Sequence, residues 1–155
     1  MTIAIITVSD RASKGEYEDL SGPEIERILL EHHPSAAVRR CVVPDVPAVI
    51  KAAFEGQAEV DFIITTGGTG IGPRDITPEV TSEYCDALLP GISEVLRSES
   101  YRETPQAMLS RGVAGIKNRT VIVNFPGSVK AVRLCTHLLV PIMEHAVDMV
   151  RGGGH

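Results

Sequence analysis

The chain is short of the residues that mark several functional classes. It has three cysteines in 155 residues, Cys41, Cys85 and Cys135, widely spaced and without a CxxC pair. Cys41 and Cys135 lie among apolar neighbours, so buried free thiols are expected rather than ligands or nucleophiles. The histidines lack zinc-site spacing: His32 and His33 end a helical pattern, His137 and His145 fall on later helices, and His155 follows a run of glycines. Positive charge is in deficit. A net charge of −5 and a pI near 5.5 argue against general nucleic-acid or membrane-surface binding, but leave phosphorylated small molecules open. No apolar run reaches transmembrane length and the N-terminus lacks the basic flank of a signal peptide, so a cytoplasmic address is expected. No repeat or linker divides the chain. One domain is expected over 1–151, followed by a frayed tail at 152–155.

What the chain does have is glycine in one place. Thr65 to Glu79 reads Thr-Thr-Gly-Gly-Thr-Gly-Ile-Gly-Pro-Arg-Asp-Ile-Thr-Pro-Glu, directly after the apolar run Phe62-Ile63-Ile64. Such a loop brings backbone close to a ligand and presents N–H groups to an anion. It is not a P-loop, because GxxxxGK[ST] is absent and no lysine lies nearby. It is not GxGxxG either, which disfavours a dinucleotide-dependent hydride transfer. Asp75 follows as a carboxylate able to hold a metal or position a reacting group.

The flanking pattern alternates strands and helices. Thr2–Val8, Val38–Val43, Phe62–Thr66 and Thr120–Asn124 read as strands, with Val113–Ile116 pairing to the last through a turn at Asn118. Helices are expected from Ser21, in a capping box with Glu24, to Pro34; from Val46 to Glu55, capped by Asp45 and burying Val49, Ala52 and Phe54; and near Pro78–Ala87, capped by Thr77. Others run over Ile92–Arg102, from Pro105 to Ser110 with Thr104 as cap, and over two closing stretches, Ser128–Leu139 and Pro141–Arg151. This order predicts an α/β fold of three α/β/α layers with a mainly parallel sheet.

Ligands bind such sheets where the strands' carboxyl ends share a rim. Four loops belong there: Ser9–Gly22, Pro44-Asp45, Gly67–Ile76 and Asn124–Ser128. Asp45 is explained by a helix cap alone, yet two carboxylates on one rim, Asp45 and Asp75, could also share Mg²⁺ or divide the roles of general base and metal ligand. Asn124-Phe-Pro-Gly-Ser128 can cradle an anion at a helix N-terminus, or be a plain capped turn. Arg11, Lys14, Arg74 and Lys130 are the candidate phosphate partners.

Val8-Ser-Asp-Arg-Ala-Ser13, Gly15-Glu-Tyr-Glu-Asp19, Ser21-Gly-Pro23, the Thr65–Gly70 and Pro73–Glu79 segments, Leu109-Ser-Arg111 and Asn124-Phe-Pro-Gly127 together resemble the MoaB/Mog family of molybdenum-cofactor biosynthesis. The likeness spans nearly the whole chain in one order. It implies a molybdopterin-binding-domain-like fold, assembled as a homotrimer or homohexamer, in which AMP passes from ATP to molybdopterin and pyrophosphate is released. It implies catalytic and Mg²⁺-binding roles for Asp45 and Asp75, a nucleotide-phosphate site at Thr66, Gly67, Gly68, Thr69 and Gly70, and a molybdopterin site at Ser9, Asp10, Asn124, Pro126, Gly127 and Ser128. It also implies contact with the molybdenum-insertion protein. The alternative within the family is a non-catalytic molybdopterin-binding or carrier protein; outside it, another phosphate-binding α/β enzyme. The chain departs from the family's usual pattern at Ser128-Val129 and at Val46-Pro47.

Overall fold

The computed structural model describes residues 1–57 and 59–153. Its elements follow in the order β1 (Thr2–Val8), α1 (Asp10–Ser13), α2 (Ser21–His32), β2 (Ala37–Val43), α3 (Pro47–Glu55), β3 (Phe62–Thr66) and α4 (Thr77–Tyr84). Then come β4 (Ala87–Leu88), α5 (Pro90–Glu103), a 3₁₀ turn (Pro105–Leu109), β5 (Ala114–Lys117), β6 (Thr120–Phe125) and α6 (Val129–Val150). The six strands form one sheet in the order β2-β1-β3-β6-β5-β4. The first four are parallel, with Ile5 opposite Ile64 and Ile64 opposite Val123; β5 and β4 are antiparallel.

The β-branched runs dictate this centre. Every residue of β3 and β6 is buried, as expected of strands covered on both faces. Period-two alternation splits β1 between the layers. Ile3 and Ile5 join Ile25 and Leu29 of α2 and Val132 and Leu139 of α6 on one face; Ala4, Ile6 and Val8 join Ile50, Phe54 and Val80 of α3 and α4 on the other. Asn118, at φ 53°, makes the tight β5–β6 turn.

Several helix boundaries differ from the sequence reading, each for a local reason. Ser21 is not a cap: it is the first residue of α2, and its hydroxyl donates to the Gly127 carbonyl at 2.7 Å. Asp19 takes the capping role instead, accepting from the Gly22 N–H at 3.0 Å. Thr77 likewise opens α4 and donates to the Gly67 carbonyl at 3.1 Å. That helix stops at Tyr84, because Ala87-Leu88 pairs with β5. In α3 the buried face is Ile50 and Phe54, with Val49 and Ala52 exposed. Thr104 gives its 3₁₀ turn no side-chain cap.

The two closing stretches are one helix. Pro141 sits inside α6 on the exposed side, and the buried series Val132, Cys135, Leu139, Met143, Val147 continues past it without a phase break. Packing against the sheet outweighs the lost backbone bond. Gly152 turns at φ +83°, and the Gly152 and Gly153 N–H groups donate to the Met149 and Asp148 carbonyls, a left-handed helix stop. The remainder of the tail, 154–155, lies outside the described residues.

Candidate active site

The four rim loops are stitched together by hydrogen bonds. The Gly67 N–H donates to the Phe125 carbonyl at 3.2 Å, and the Thr66 hydroxyl to the Pro126 carbonyl at 2.7 Å, joining the loops after β3 and β6. The Ser9 N–H donates to the Val43 carbonyl at 2.8 Å, joining those after β1 and β2. Glycine is required where they cross. Gly67 has φ +96°, and a Cβ there would stand 2.3 Å from the Val8 carbonyl oxygen; Gly68 has φ +66°, and its Cβ would stand 2.3 Å from the Thr77 hydroxyl.

Asp45 and Asp10 exchange reciprocal bonds: the Asp10 N–H donates to Asp45 Oδ2 at 2.8 Å and the Asp45 N–H to Asp10 Oδ1 at 3.0 Å. Asp45 therefore does not cap α3, whose start at Val46-Pro47 receives no side-chain bond. The reading that explained it as a helix cap fails. Arg74, from the glycine loop, closes a two-bond fork on Asp10 at 2.9 and 3.1 Å. That guanidinium holds the Asp10 carboxyl below its ordinary value. Asp45 moves the other way: burial raises its pKa, opposed by the Asp10 N–H bond, with further repulsion from the Asp10 and Asp75 charges. Among the described residues Asp45 and Asp75 each keep an oxygen without a protein donor: Asp45 accepts through Oδ2, and Asp75 through Oδ2 from the Gly72 N–H at 2.8 Å.

Beside Asp75 opens a cleft of about 460 Å³, walled by Gly67–Gly70 and the Asn124 to Ser128 turn, and on its far side by α5. A smaller cleft of about 190 Å³, with Ser9, Thr66 and Ser21 in its wall, lies across the Gly67–Gly127 contact. The donors are backbone groups. Among the described residues the N–H groups of Gly68, Thr69 and Gly70 donate to no protein acceptor, and neither do those of Gly127, Ser128 and Val129 at the start of α6. The helix dipole adds to the attraction for an anion at this second set.

The other side chains singled out from sequence serve chiefly to shape this wall. The Asn124 amide donates to the Thr65 and Thr81 hydroxyls, both at 2.9 Å, while its oxygen accepts from the Val113 N–H at 3.2 Å. Ser9 caps α1 and Ser128 caps α6. Of the basic candidates, Arg11 lies over the Tyr17 ring and Lys130 pairs with Glu103 at 3.6 Å. Arg97, given no role from sequence, lines the large cleft and donates to the Ser110 and Gly112 carbonyls at 3.3 and 2.9 Å. Its place on α5, two elements away from the loops it serves, left no local motif to find it by.

A parallel-sheet rim that offers free amides beside carboxylates is an arrangement suited to anionic ligands in an α/β fold. The family model described as "Probable molybdopterin binding domain" matches residues 4–145, and the chain belongs to the MoaB/Mog molybdopterin-binding family. The molybdopterin adenylyltransferase of Helicobacter pylori strain J99 is 41% identical, over 97% of this chain and 88% of its own length. A solved MogA chain has a TM-score of 0.91 at 39% identity, covering 97% of this chain and 99% of that one. The Mog protein of Mycobacterium ulcerans has a TM-score of 0.88 at 38% identity, covering 96% and 98%.

Proposed function

We propose that this protein is a molybdopterin adenylyltransferase, acting as a unit over 1–151. The observation that carries the reading is the meeting of free rim amides with the Asp75 carboxylate at one cleft, in a chain that covers 88% of the length of the Helicobacter pylori adenylyltransferase it matches. An oxygen of molybdopterin's terminal phosphate attacks the α-phosphorus of ATP. The bond from that phosphorus to the bridging oxygen breaks, and pyrophosphate leaves with the electron pair. Such a reaction is governed by positioning and charge neutralisation. The amides of Gly68, Thr69 and Gly70 bind and orient nucleotide phosphates, and those of Gly127 to Val129 receive the pterin's phosphate.

Among the described residues no three His, Cys, Asp or Glu side chains form a metal cage. Two carboxylates with one open oxygen each suit instead a cation that arrives with a triphosphate, because Mg²⁺ keeps water and phosphate in most of its shell. Asp45 and Asp75 would hold it. Bound there, Mg²⁺ neutralises phosphate charge as it develops. Asp10 fixes the Asp45 backbone, and Arg74 ties that arrangement to the glycine loop.

Incubation with molybdopterin, Mg²⁺ and ATP labelled at the α-phosphate tests the reading. Label is expected in adenylyl-molybdopterin, with one pyrophosphate released per transfer. Molybdopterin binding without labelled product would overturn it in favour of a carrier. No helix among the described residues is long and apolar enough to cross a membrane, which suits a cytoplasmic site of action. We extend the proposal to assembly as a homotrimer or homohexamer through the apolar groove between α5 and α6, where Val95 and Ile142 are 51% and 40% exposed, and to product transfer to a molybdenum-insertion protein.

A further inference from the structure

We infer that Arg111 is a positioning residue that sets the place of Asp75, bracing the glycine loop from the opposite side of the cleft; the inference rests on the adenylyltransferase reading. The loop has few internal supports. Between Gly68 and Thr77 it closes on itself through the Asp75 N–H to Gly72 carbonyl bond at 3.1 Å, the Gly72 N–H to Asp75 Oδ2 bond at 2.8 Å and the Thr77 N–H to Gly68 carbonyl bond at 3.1 Å. Residues 71 to 74 are exposed, and this outer half is tied outward by the Arg74 fork on Asp10.

Arg111 supplies what is missing, at several points along the loop. Its backbone N–H donates to the Thr69 carbonyl at 2.8 Å, its Nε to the Gly70 carbonyl at 2.8 Å, and its Nη2 to the Asp75 carbonyl at 2.9 Å. Nη1 pairs with Glu79 in the first turn of α4. One planar fork therefore grips the loop before, at and after the carboxylate that faces the substrate. A lysine, with one nitrogen, cannot reach the same set of acceptors at once.

The fork is itself held. Arg111 follows Ser110 and precedes Gly112, the residues whose carbonyls accept from Arg97 of α5. Two arginines in series thus connect α5, which forms the far wall of the cleft, to the Asp75 backbone. Among the described residues Arg111 donates to the Asp75 carbonyl and not to its carboxylate oxygens, and Arg111→Lys keeps the charge that also acts on that carboxylate while removing the fork.

The test compares wild type, Arg111→Ala and Arg111→Lys in the labelled-ATP assay, with molybdopterin affinity and amide exchange measured on the same samples. Misplacement of a reacting group by about 1 Å costs on the order of a hundredfold in rate. Arg111→Ala should lose kcat on that scale with an unchanged molybdopterin Kd, and Arg111→Lys should recover part of it. The Gly72 and Asp75 amides should exchange faster in both variants, while core amides of β3 keep their protection. Full kcat in Arg111→Ala, or unchanged exchange at Gly72 and Asp75, would overturn the inference. So would a loss of core protection in parallel with activity in both variants, which marks a general structural role. Absence of transfer by the wild type would instead defeat the adenylyltransferase reading, and the exchange data would still judge the brace.

Discussion

At the residue scale, the site is made by backbone that only glycine permits and by one carboxylate, Asp45, whose charge burial disfavours. Adding a methyl group at Gly68 demands φ +66° of an alanine and meets the Thr77 hydroxyl at 2.3 Å and Asp45 Oδ1 at 3.0 Å. Gly68→Ala should therefore destabilise the fold by more than about 1 kcal/mol, read from the denaturant midpoint, and should impair catalysis even at temperatures where the variant stays folded. Asp45 makes the second prediction. Burial raises its pKa, with repulsion from Asp10 and Asp75 adding to the shift, so the acid limb of kcat/KM should lie above the ordinary aspartate value of about 4. A bound cation favours the ionised form, so raising Mg²⁺ should move that limb to lower pH. A limb indifferent to Mg²⁺ would remove Asp45 from the metal.

At the scale of elements, the helices are fixed less by their caps than by what they pack against. Two capping residues read from sequence were the right chemistry in the wrong role: Ser21 and Thr77 each tie a helix start to a rim loop instead of satisfying the helix's own N–H groups. A short polar side chain before an apolar stripe fits either use, and only the fold decides which acceptor is nearest. The same holds for Pro141. Local propensity splits α6 there, while the continuous buried face keeps it whole. Because Pro141 is exposed and inside a helix, Pro141→Ala should raise the unfolding free energy by about 1–2 kcal/mol, the restored backbone bond outweighing the freer unfolded chain. Glu24 links α2 to α6 by accepting from Arg27 and Arg133, which holds its carboxyl at about 2. A depressed carboxyl stabilises above its unfolded pKa of about 4.3, and that contribution fades as pH falls from there towards 2. Acid titration of Glu24→Gln should show a shallower loss of stability over this window than wild type.

At the scale of the whole molecule, the architecture was legible because strand burial is written in sequence. Phe62-Ile-Ile-Thr-Thr66 and Thr120-Val-Ile-Val-Asn124 can only be central strands, and parallel order puts their carboxyl ends on one rim. The candidate site was legible as far as it is local to those loops. The meeting of Gly67 with Gly127 follows from topology. Arg97 does not, since its acceptors are main-chain carbonyls of Ser110 and Gly112 that no motif encodes, and Arg111 was legible only as part of the Leu109-Ser-Arg111 motif, without its partners on the glycine loop. The proposed trimer also belongs to this scale. Sedimentation of wild type should give a single species of three or six chains, and Val95→Asp with Ile142→Asp should shift it to monomer without unfolding.

The account's central claim is that Asp75 acts on substrates held by the neighbouring amides. Single-turnover transfer of labelled AMP by Asp75→Asn beside the wild type tests it most directly. The substitution keeps the Oδ acceptor for the Gly72 N–H and removes the charge. The prediction is molybdopterin affinity equal to wild type with transfer slower by at least about a hundredfold. Equal transfer rates in the two proteins would contradict it.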